Sequence, residues 1–443
     1  MTVHSIDGPS WLTKLERIGE QSACDKQMVF NNLGHLLNVE LLKGQFQRLD
    51  GRKAAGIDGV TKATYALKLD ENIQGLIERI RKGRYQPKPA RVTEIPKEDG
   101  STRPLAISCL EDKLVQLAVS SILGQIYEPL FLPCSYGFRP GLNCHDALRA
   151  LQQSTFRNWN GAVVEIDIRK YFNTIPHAAL HKMLRAKISD RRFLRLIDQL
   201  MTAPVREGGV DHKNQQGSPQ GSILSPVLAN IYLHHVIDEW FESFKQTHLR
   251  GKAEMVRYAD DMVFTFGSPT KAARFYAVLP KRLAKFGLEM HQGKSQLLPA
   301  GHVAALRARQ AGGRLPTFNF LGFTCYWGQT RKGYWRLKYT SRRDRFASKL
   351  KSLRDFLWKN LNADRITTLR TVIRVVKGWI NYHAISDNRR RVGQFIYQSR
   401  RTIHRWFNRQ GGRHGMSWDK LARILKAVGF PEFWKTTSMF PAR

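Results

Sequence analysis

Asp167, Asp260 and Asp261 are the residues of this 443-residue chain best placed to do chemistry. Asp167 closes an apolar run, GAVVEID (161–167), and the Asp260-Asp261 pair lies between two more, EMVRYA and MVF. Such runs predict strands, and adjacent aspartates between them predict a hairpin turn. Carboxylates at the ends of neighbouring strands can converge on one point, where like charges resist ionising together. A divalent cation removes that cost. Hard oxygen ligands suit Mg²⁺, which keeps waters and takes phosphate oxygens from a substrate. Two such ions, about 4 Å apart, clamp the attacking and leaving oxygens of an in-line phosphoryl transfer. An Asp-Asp pair alone is also an ordinary turn; the apolar strands on either side single this one out.

The elements that must position these groups are legible on both sides of them. Helix is predicted near 177–187 and over SPVLANIYLHHVIDEWFESF (225–244), where Pro226 suits the first turn. PTKAARFYAVLPKRLAKFG (269–287) reads as a helix ended by Gly287. Upstream, residues 1–50 are polar and helical in period, 51–60 form a Gly-rich loop, and 67–82 and 113–130 are helical. RVTEIPKEDGSTRPLAI (91–107) reads as strand, turn, strand with Asp99-Gly100 at the tip. The irregular alternation predicts an α+β sheet domain covered by helices on one face. From about 341 the pattern is helical, which places a domain boundary near 330–340.

Charge points to the partner. Lys and Arg number 72 against 36 acidic residues, a formal net charge of +36, far beyond what solubility needs. A surplus of this size implies a polyanion, most often nucleic acid. Residues 331–443 hold 28 Lys/Arg and 6 Asp/Glu, a net of +22, together with six of the ten tryptophans. Aromatics in a basic surface suit RNA, where bases stack and phosphates pair, although most of the six (Trp335, Trp358, Trp379, Trp406, Trp418 and Trp434) are expected in the core. Five cysteines without a C-x-x-C pair argue against a disulfide framework or zinc module and for a reduced, cytoplasmic setting. The N-terminus lacks a signal-peptide pattern, and no apolar run reaches the ~18 residues of a membrane span.

Tyr258-Ala259-Asp260-Asp261 resembles the Y-x-D-D box of reverse transcriptases. Further blocks resemble that family in its order: GIDGVTKATY (56–65), the 84–107 hairpin region, SYGFRPGLNCHDAL (135–148), VVEIDIRKYFNTIPH (163–177), QGSPQGSILSPVLANIYLH (216–234), GLEMHQGKSQ (287–296) and FNFLGFTC (318–325). The variety is that encoded by bacterial group II introns, and VVKGWINYHAISDN (375–388) resembles their maturase, or thumb, segment. The resemblance implies a right-hand polymerase: N-terminal extension and fingers in 1–160, palm in 161–330, and a basic, all-helical thumb/maturase domain in 331–443. It implies RNA-templated DNA synthesis from a primer 3′-OH with dNTPs and two Mg²⁺ ions, with intron RNA, template RNA and DNA as partners and bacterial cytoplasm as the setting.

Residue by residue, the resemblance makes Asp167, Asp260 and Asp261 metal ligands, assisted by the Ile168 carbonyl. Phe172 falls at the aromatic gate that excludes a ribose 2′-OH, and Gln220 lines the nucleotide pocket. Lys97 and Arg103 grip the triphosphate, Lys294 lies near the outgoing pyrophosphate, and Tyr258 packs near the primer end. Arg139 and Gly141 either support the template or form a structural turn. In the thumb, Arg342, Arg343, Arg345, Arg389, Arg390, Arg391, Arg400 and Arg401 are phosphate-facing candidates or a solvated helix face. The sequence departs from the family pattern at Ser222 in PQGS, at Asn173 after the gate, and in MHQGKS before Lys294. No Cys/His-rich endonuclease module is seen, which predicts no second-strand cleavage. Two alternatives stay open: the same enzyme working outside an intron, in phage defence or beside a CRISPR system, and an RNA-binding splicing chaperone with a vestigial polymerase.

Overall fold

A computed structural model describes residues 10–96, 102–249, 252–410 and 415–440. Its strands, in chain order, are β1 (Ala90–Pro96), β2 (Thr102–Ile107), β3 (Gly161–Ile166), β4 (Val205–Glu207), β5 (Val210–His212), β6 (Ala253–Tyr258), β7 (Asp261–Phe266), β8 (Gln296–Ala300), β9 (Phe318–Phe320), β10 (Phe323–Gln329) and β11 (Trp335–Ser341). They form three sheets, ordered β2-β1-β4-β5, β6-β7-β3-β8 and β11-β10-β9. The chain divides into two compact units. The first comprises the chain through Asn143, Val164–Phe264 and Ala273–Gln296; the second comprises Cys144–Val163, Thr265–Ala272 and the residues from Leu297 onward.

In the first unit the expected 91–107 hairpin is present, with Arg91 opposite Ile107 and Pro96 opposite Thr102. Lys97 and the Asp99-Gly100 tip lie outside the described residues. Behind it stands the helix Leu110–Tyr127, whose residues from Leu114 to Ile126 are buried on nearly every side, as its apolar sequence demands. Glu111 and Asp112 occupy its first turn, where the helix dipole favours negative charge. β3 and β7 are apolar on both faces: Val163, Val164, Ile166, Met262, Val263 and Phe264 are all buried. Strands covered on both sides read as continuous apolar runs rather than alternating ones. Phe264 is packed by Phe241 (4.9 Å between ring centroids) and Phe275 (4.7 Å), from the two helices predicted downstream and upstream of the hairpin.

The predicted helix over 225–244 is interrupted. Ser225–Leu233 is α-helical, His234–Asp238 is a wide π-turn, and Glu239–Phe244 is α-helical again. The wide turn aims Asp238 inward, where it is fully buried against Arg257. Such bulges recur at functional sites. The helix Arg191–Met201 carries no separate expectation from the sequence, yet its apolar residues at 193, 194, 196, 197, 200 and 201 make one buried stripe.

In the second unit the helix Cys144–Arg157 lies on β11, with Gln152 Nε2 donating to the Leu337 carbonyl (3.1 Å) and Tyr339 Oη to the Leu148 carbonyl (2.7 Å). β11 lies inside the 331–443 range expected to be helical. The longer described segments from Arg343 on are helices, Arg343–Lys359, Arg365–His383, Arg389–Arg409 and Trp418–Ala427. They share a core that includes Leu357, Val376, Phe395 and Ile403. Trp379 and Trp406 are buried and Trp335 and Trp434 half-buried, whereas Trp358 and Trp418 are exposed.

His383 supplies a pH test of this core. It is buried, stacked on Trp379 (4.3 Å), packed against the tilted ring of Phe323 (5.0 Å), and hydrogen-bonded to Ser341 Oγ (3.1 Å). Burial, with Arg345 and His145 adding, lowers its pKa from 6.5 to about 4. The unfolded chain therefore binds the proton first, so stability present above pH 6.5 is lost as pH falls toward 4. The loss assignable to this one group at pH 5 is about 2 kcal/mol. Urea midpoints for wild type and His383→Gln at pH 7 and 5 measure it: the variant loses less stability on acidification, and equal losses would refute the assignment.

Candidate active site

β3 and β7 are neighbours, and a Cβ built on Gly161 falls 1.9 Å from the Phe266 carbonyl oxygen. The start of β3 thus lies beside the end of β7, so the strands are antiparallel. The end of β3 and the start of β7 therefore lie at the same end of the sheet, with Asp167 just after β3 and Asp260 just before β7. The first carboxylate and the pair, 93 residues apart in sequence, meet at one end of the sheet.

Asp167 is held from the far side by the segment after the helix Pro269–Ala284. Its N–H donates to Ser295 Oγ (3.1 Å) and its carbonyl accepts from the His291 N–H (2.8 Å). Ile168 is buried and bridges to Met290. Lys294 Nζ lies 3.4 Å from Asp167 Oδ2. Asp260 is half-buried and Asp261 exposed. Burial pushes the Asp260 carboxyl above its ordinary range, the Asp167 carboxylate adds to the rise, and the Arg103 and Arg257 guanidiniums oppose it. Two like charges therefore share a partly desolvated site, with cations around it.

The predicted nucleotide contacts gather near this end. Phe172 follows on the short turn Tyr171–Thr174, its carbonyl accepting from the Ser218 N–H (2.8 Å). Gly217 lies against that backbone at φ +72°, where a Cβ would fall 2.4 Å from the Phe172 carbonyl oxygen, so no larger residue fits. Gln220 donates through Nε2 to Asn173 Oδ1 (3.1 Å), and its backbone carbonyl accepts from the Ala106 N–H (2.7 Å), tying the pocket to β2. Gln220 Oε1 is shielded and has no partner within the protein. Arg103 is exposed on β2, opposite Ile95. Lys97 lies outside the described residues.

The sequence reading did not single out Arg257. It is the largest fully buried side chain, and it ties the Asp260 turn to two distant segments. The available signal was a lone arginine inside an apolar strand run, which must find a buried partner.

A family model described as reverse transcriptase (RNA-dependent DNA polymerase) matches residues 95–325. The chain belongs to this family. Membership carries the right-hand polymerase fold, and the mixed α/β sheets and C-terminal helical region are its parts. Among relatives of this chain, the group II intron-encoded protein LtrA of Lactococcus lactis subsp. cremoris is 37% identical over 246 residues, covering 55% of this chain and 40% of that protein. An uncharacterized 91 kDa protein in the cob intron of Schizosaccharomyces pombe is 27% identical over 452 residues, 87% of this chain and 55% of the relative. Protein YkfC of Escherichia coli K12 is 37% identical over 211 residues, 47% of this chain and 54% of that protein. The chain thus spans about half the length of these curated relatives.

The other basic candidates divide by geometry. Arg139 turns inward: Nε donates to Glu128 Oε1 (2.8 Å) and Nη1 to the carbonyls of Leu132 (3.0 Å) and Ser135 (2.8 Å). These bonds hold the 132–139 turn together. Arg342 pairs with Asp344, and Arg391 lies over the Phe346 ring (4.9 Å). Arg343, Arg345, Arg389 and Arg390 are exposed, Arg400 and Arg401 half-exposed, with Arg401 over the exposed Tyr397 (5.8 Å).

The donor set suits a hard cation. Asp167, Asp260, Asp261 and the Ile168 carbonyl offer oxygen only, and neutralising charge relieves the repulsion at Asp260. Among the described residues no three His, Cys, Asp or Glu side chains gather closely enough to hold an ion alone. Mg²⁺ does not require such a cage, since it binds one or two carboxylates together with water and substrate phosphate. No described helix is long and apolar enough to cross a membrane.

Proposed function

We propose that this protein is an RNA-directed DNA polymerase that extends a primer 3′-OH with dNTPs, and that it binds intron RNA. The observation that carries the reading is the meeting of Asp167 with Asp260 at the ends of antiparallel β3 and β7, with Lys294 against Asp167. In this reading Asp167, Asp260, Asp261 and the Ile168 carbonyl hold two Mg²⁺ ions, which stabilise the charge developing on the attacking and leaving oxygens. The protein's own groups position the rest. Arg103 and Lys97 bind the triphosphate, Gln220 lines the nucleotide pocket, Phe172 closes the space beside the sugar C2′, and Tyr258 packs near the primer end. Lys294 is a cation for the departing pyrophosphate. The fingers in 1–160, the palm in 161–330 and the thumb in 331–443 name roles along the chain rather than compact units.

Primer extension on an RNA template with purified protein and Mg²⁺ tests the proposal. Template-dependent DNA product is expected, and its absence under conditions where the protein binds RNA would overturn it.

The intron-RNA part rests on the basic C-terminal surface and on the intron-encoded relatives. Exposed Arg343, Arg345, Arg389 and Arg390, with Arg400 and Arg401, supply the phosphate contacts. Six to ten such contacts lower RNA affinity by about 10³–10⁵-fold between 50 and 200 mM salt. A salt titration of RNA binding by the whole protein gives that slope, and Arg389→Ala/Arg390→Ala reduces it by about two. A flat response removes the phosphate-contact proposal.

A further inference from the structure

We infer that Arg257 is a positioning residue for the reaction: it locks the peptide that carries Asp260. This rests on the polymerase reading and adds a residue to it. All five guanidinium N–H donors find partners inside the protein. Nε donates to Asp238 Oδ1 (2.8 Å) and Nη2 to Asp238 Oδ2 (2.6 Å) and Ser135 Oγ (2.7 Å). Nη1 donates to Asn230 Oδ1 (2.9 Å) and to the Ala259 carbonyl (3.1 Å). Arg257, Asp238 and Ser135 are fully buried and Asn230 nearly so.

The last of those bonds matters most. The Ala259 carbonyl belongs to the peptide joining Ala259 to Asp260. Ala259 stands at φ +57°, a left-handed conformation that a residue with a Cβ adopts only under constraint. The constraint is visible on both sides. Arg257 holds the carbonyl, and Gly137 presses on the amide, where a Cβ on Gly137 would fall 2.3 Å from the Ala259 nitrogen. Asn230 links the two, accepting from Arg257 and donating through Nδ2 to the Gly137 carbonyl (2.7 Å). The Tyr136 N–H donates to the Arg257 carbonyl (2.8 Å), closing the ring. Three segments remote in sequence, at 135–137, 230–238 and 257–260, are thereby registered to one turn. A buried ion pair serving only stability could be exchanged for apolar groups at little cost. This one also holds the backbone that aims a carboxylate.

The test exploits that difference. Asp238→Leu/Arg257→Met removes both charges together, leaving no buried unpaired ion. Displacing a reacting group by about 1 Å costs about 100-fold. The double variant is therefore expected to lose about 100-fold in kcat, with the KM for dNTP and the Kd for primer–template held within about threefold. Amide hydrogen exchange at 258–261 rises at least about tenfold while that of the helix Leu110–Tyr127 is unchanged. Adding Ala259→Gly, which relaxes the left-handed penalty, recovers part of kcat; a purely structural ion pair gives no reason for such rescue. If the double variant does not fold, Gly137→Ala displaces the same turn without touching the charges, and the same kcat loss is expected. A folded variant with wild-type kcat and unchanged exchange at 258–261 overturns the inference. An inactive wild type in the same series overturns the polymerase reading instead, and the exchange measurement still decides the role of Arg257.

Discussion

Asp260→Ala abolishes primer extension, lowering the rate by about 10³-fold or more, and leaves RNA affinity unchanged. The size follows from what the carboxylate does. Metal-held charge stabilisation contributes several kcal/mol to a phosphoryl-transfer transition state, and about 4 kcal/mol is a factor of 10³. Asp260 is constrained on several sides. Its turn is gripped through Ala259, it is half-buried, and it shares its charge with Asp167. Asp261 is exposed, and Asp261→Ala is the companion variant at the other carboxylate of the pair. RNA affinity survives because the phosphate-binding candidates lie from Arg342 to Arg401, far along the chain from the turn. Single-turnover extension and RNA binding by the same protein give both numbers. Equal polymerisation by variant and wild type would end the catalytic assignment. Joint loss of extension and binding would indicate a folding defect, which thermal melting of the variant settles.

The strands that carry the three aspartates were legible in the sequence, whereas the Asp-Asp pair by itself is an ordinary turn and drew its weight from the ordered blocks around it. The runs around Asp167 and Asp260-Asp261 are apolar enough to predict buried strands, and an acidic cluster at their ends is where a cation or a raised carboxyl pKa relieves the repulsion. The β1–β2 hairpin and the helix Leu110–Tyr127 were likewise legible. What escaped is non-local. Arg257 and Asp238 are 19 residues apart and meet only because the wide turn at His234–Asp238 breaks the even period that 225–244 shows in sequence. No pattern of residue types announces such a turn. The sequence left Arg139 between template support and a structural turn, because its partners, Glu128 and the carbonyls of Leu132 and Ser135, come into range only when the chain turns back on itself. The strand β11 was absorbed into the helical region although WRLKYTS alternates, with Trp335, Leu337 and Tyr339 apolar and Arg336, Lys338 and Thr340 polar; the strand period was present in the sequence, and the segment pairs along the whole of β10. Tryptophan burial was likewise undetermined by type: Trp379 stacks on Phe395 at 3.9 Å, whereas Trp358 stands exposed under Arg409.

Phe172→Val lowers discrimination between deoxyribonucleotides and ribonucleotides by about 10–100-fold, the range that shape exclusion in an apolar pocket can supply. The ring is well supported for such a role. Tyr171 beside it is buried, donates from its hydroxyl to the Ala229 carbonyl (2.6 Å), and meets the Phe172 ring edge-on at 5.4 Å. The Phe172 carbonyl is held by the Ser218 N–H, and Gly217 fills the space beneath it. The backbone therefore has little room to follow when the side chain shrinks, and the volume released stays open for a 2′-hydroxyl. Valine keeps an apolar branched surface, so insertion of dNTPs stays within about threefold of wild type. Gln220 donates to Asn173 next door, so Asn173→Asp supplies a control that alters the neighbour without opening the space. Competing single-nucleotide insertions of dNTP and rNTP on one RNA template measure the ratio. An unchanged ratio in Phe172→Val would return this phenylalanine to an ordinary packing role, and a changed ratio in Asn173→Asp alone would move the gate one residue along the chain.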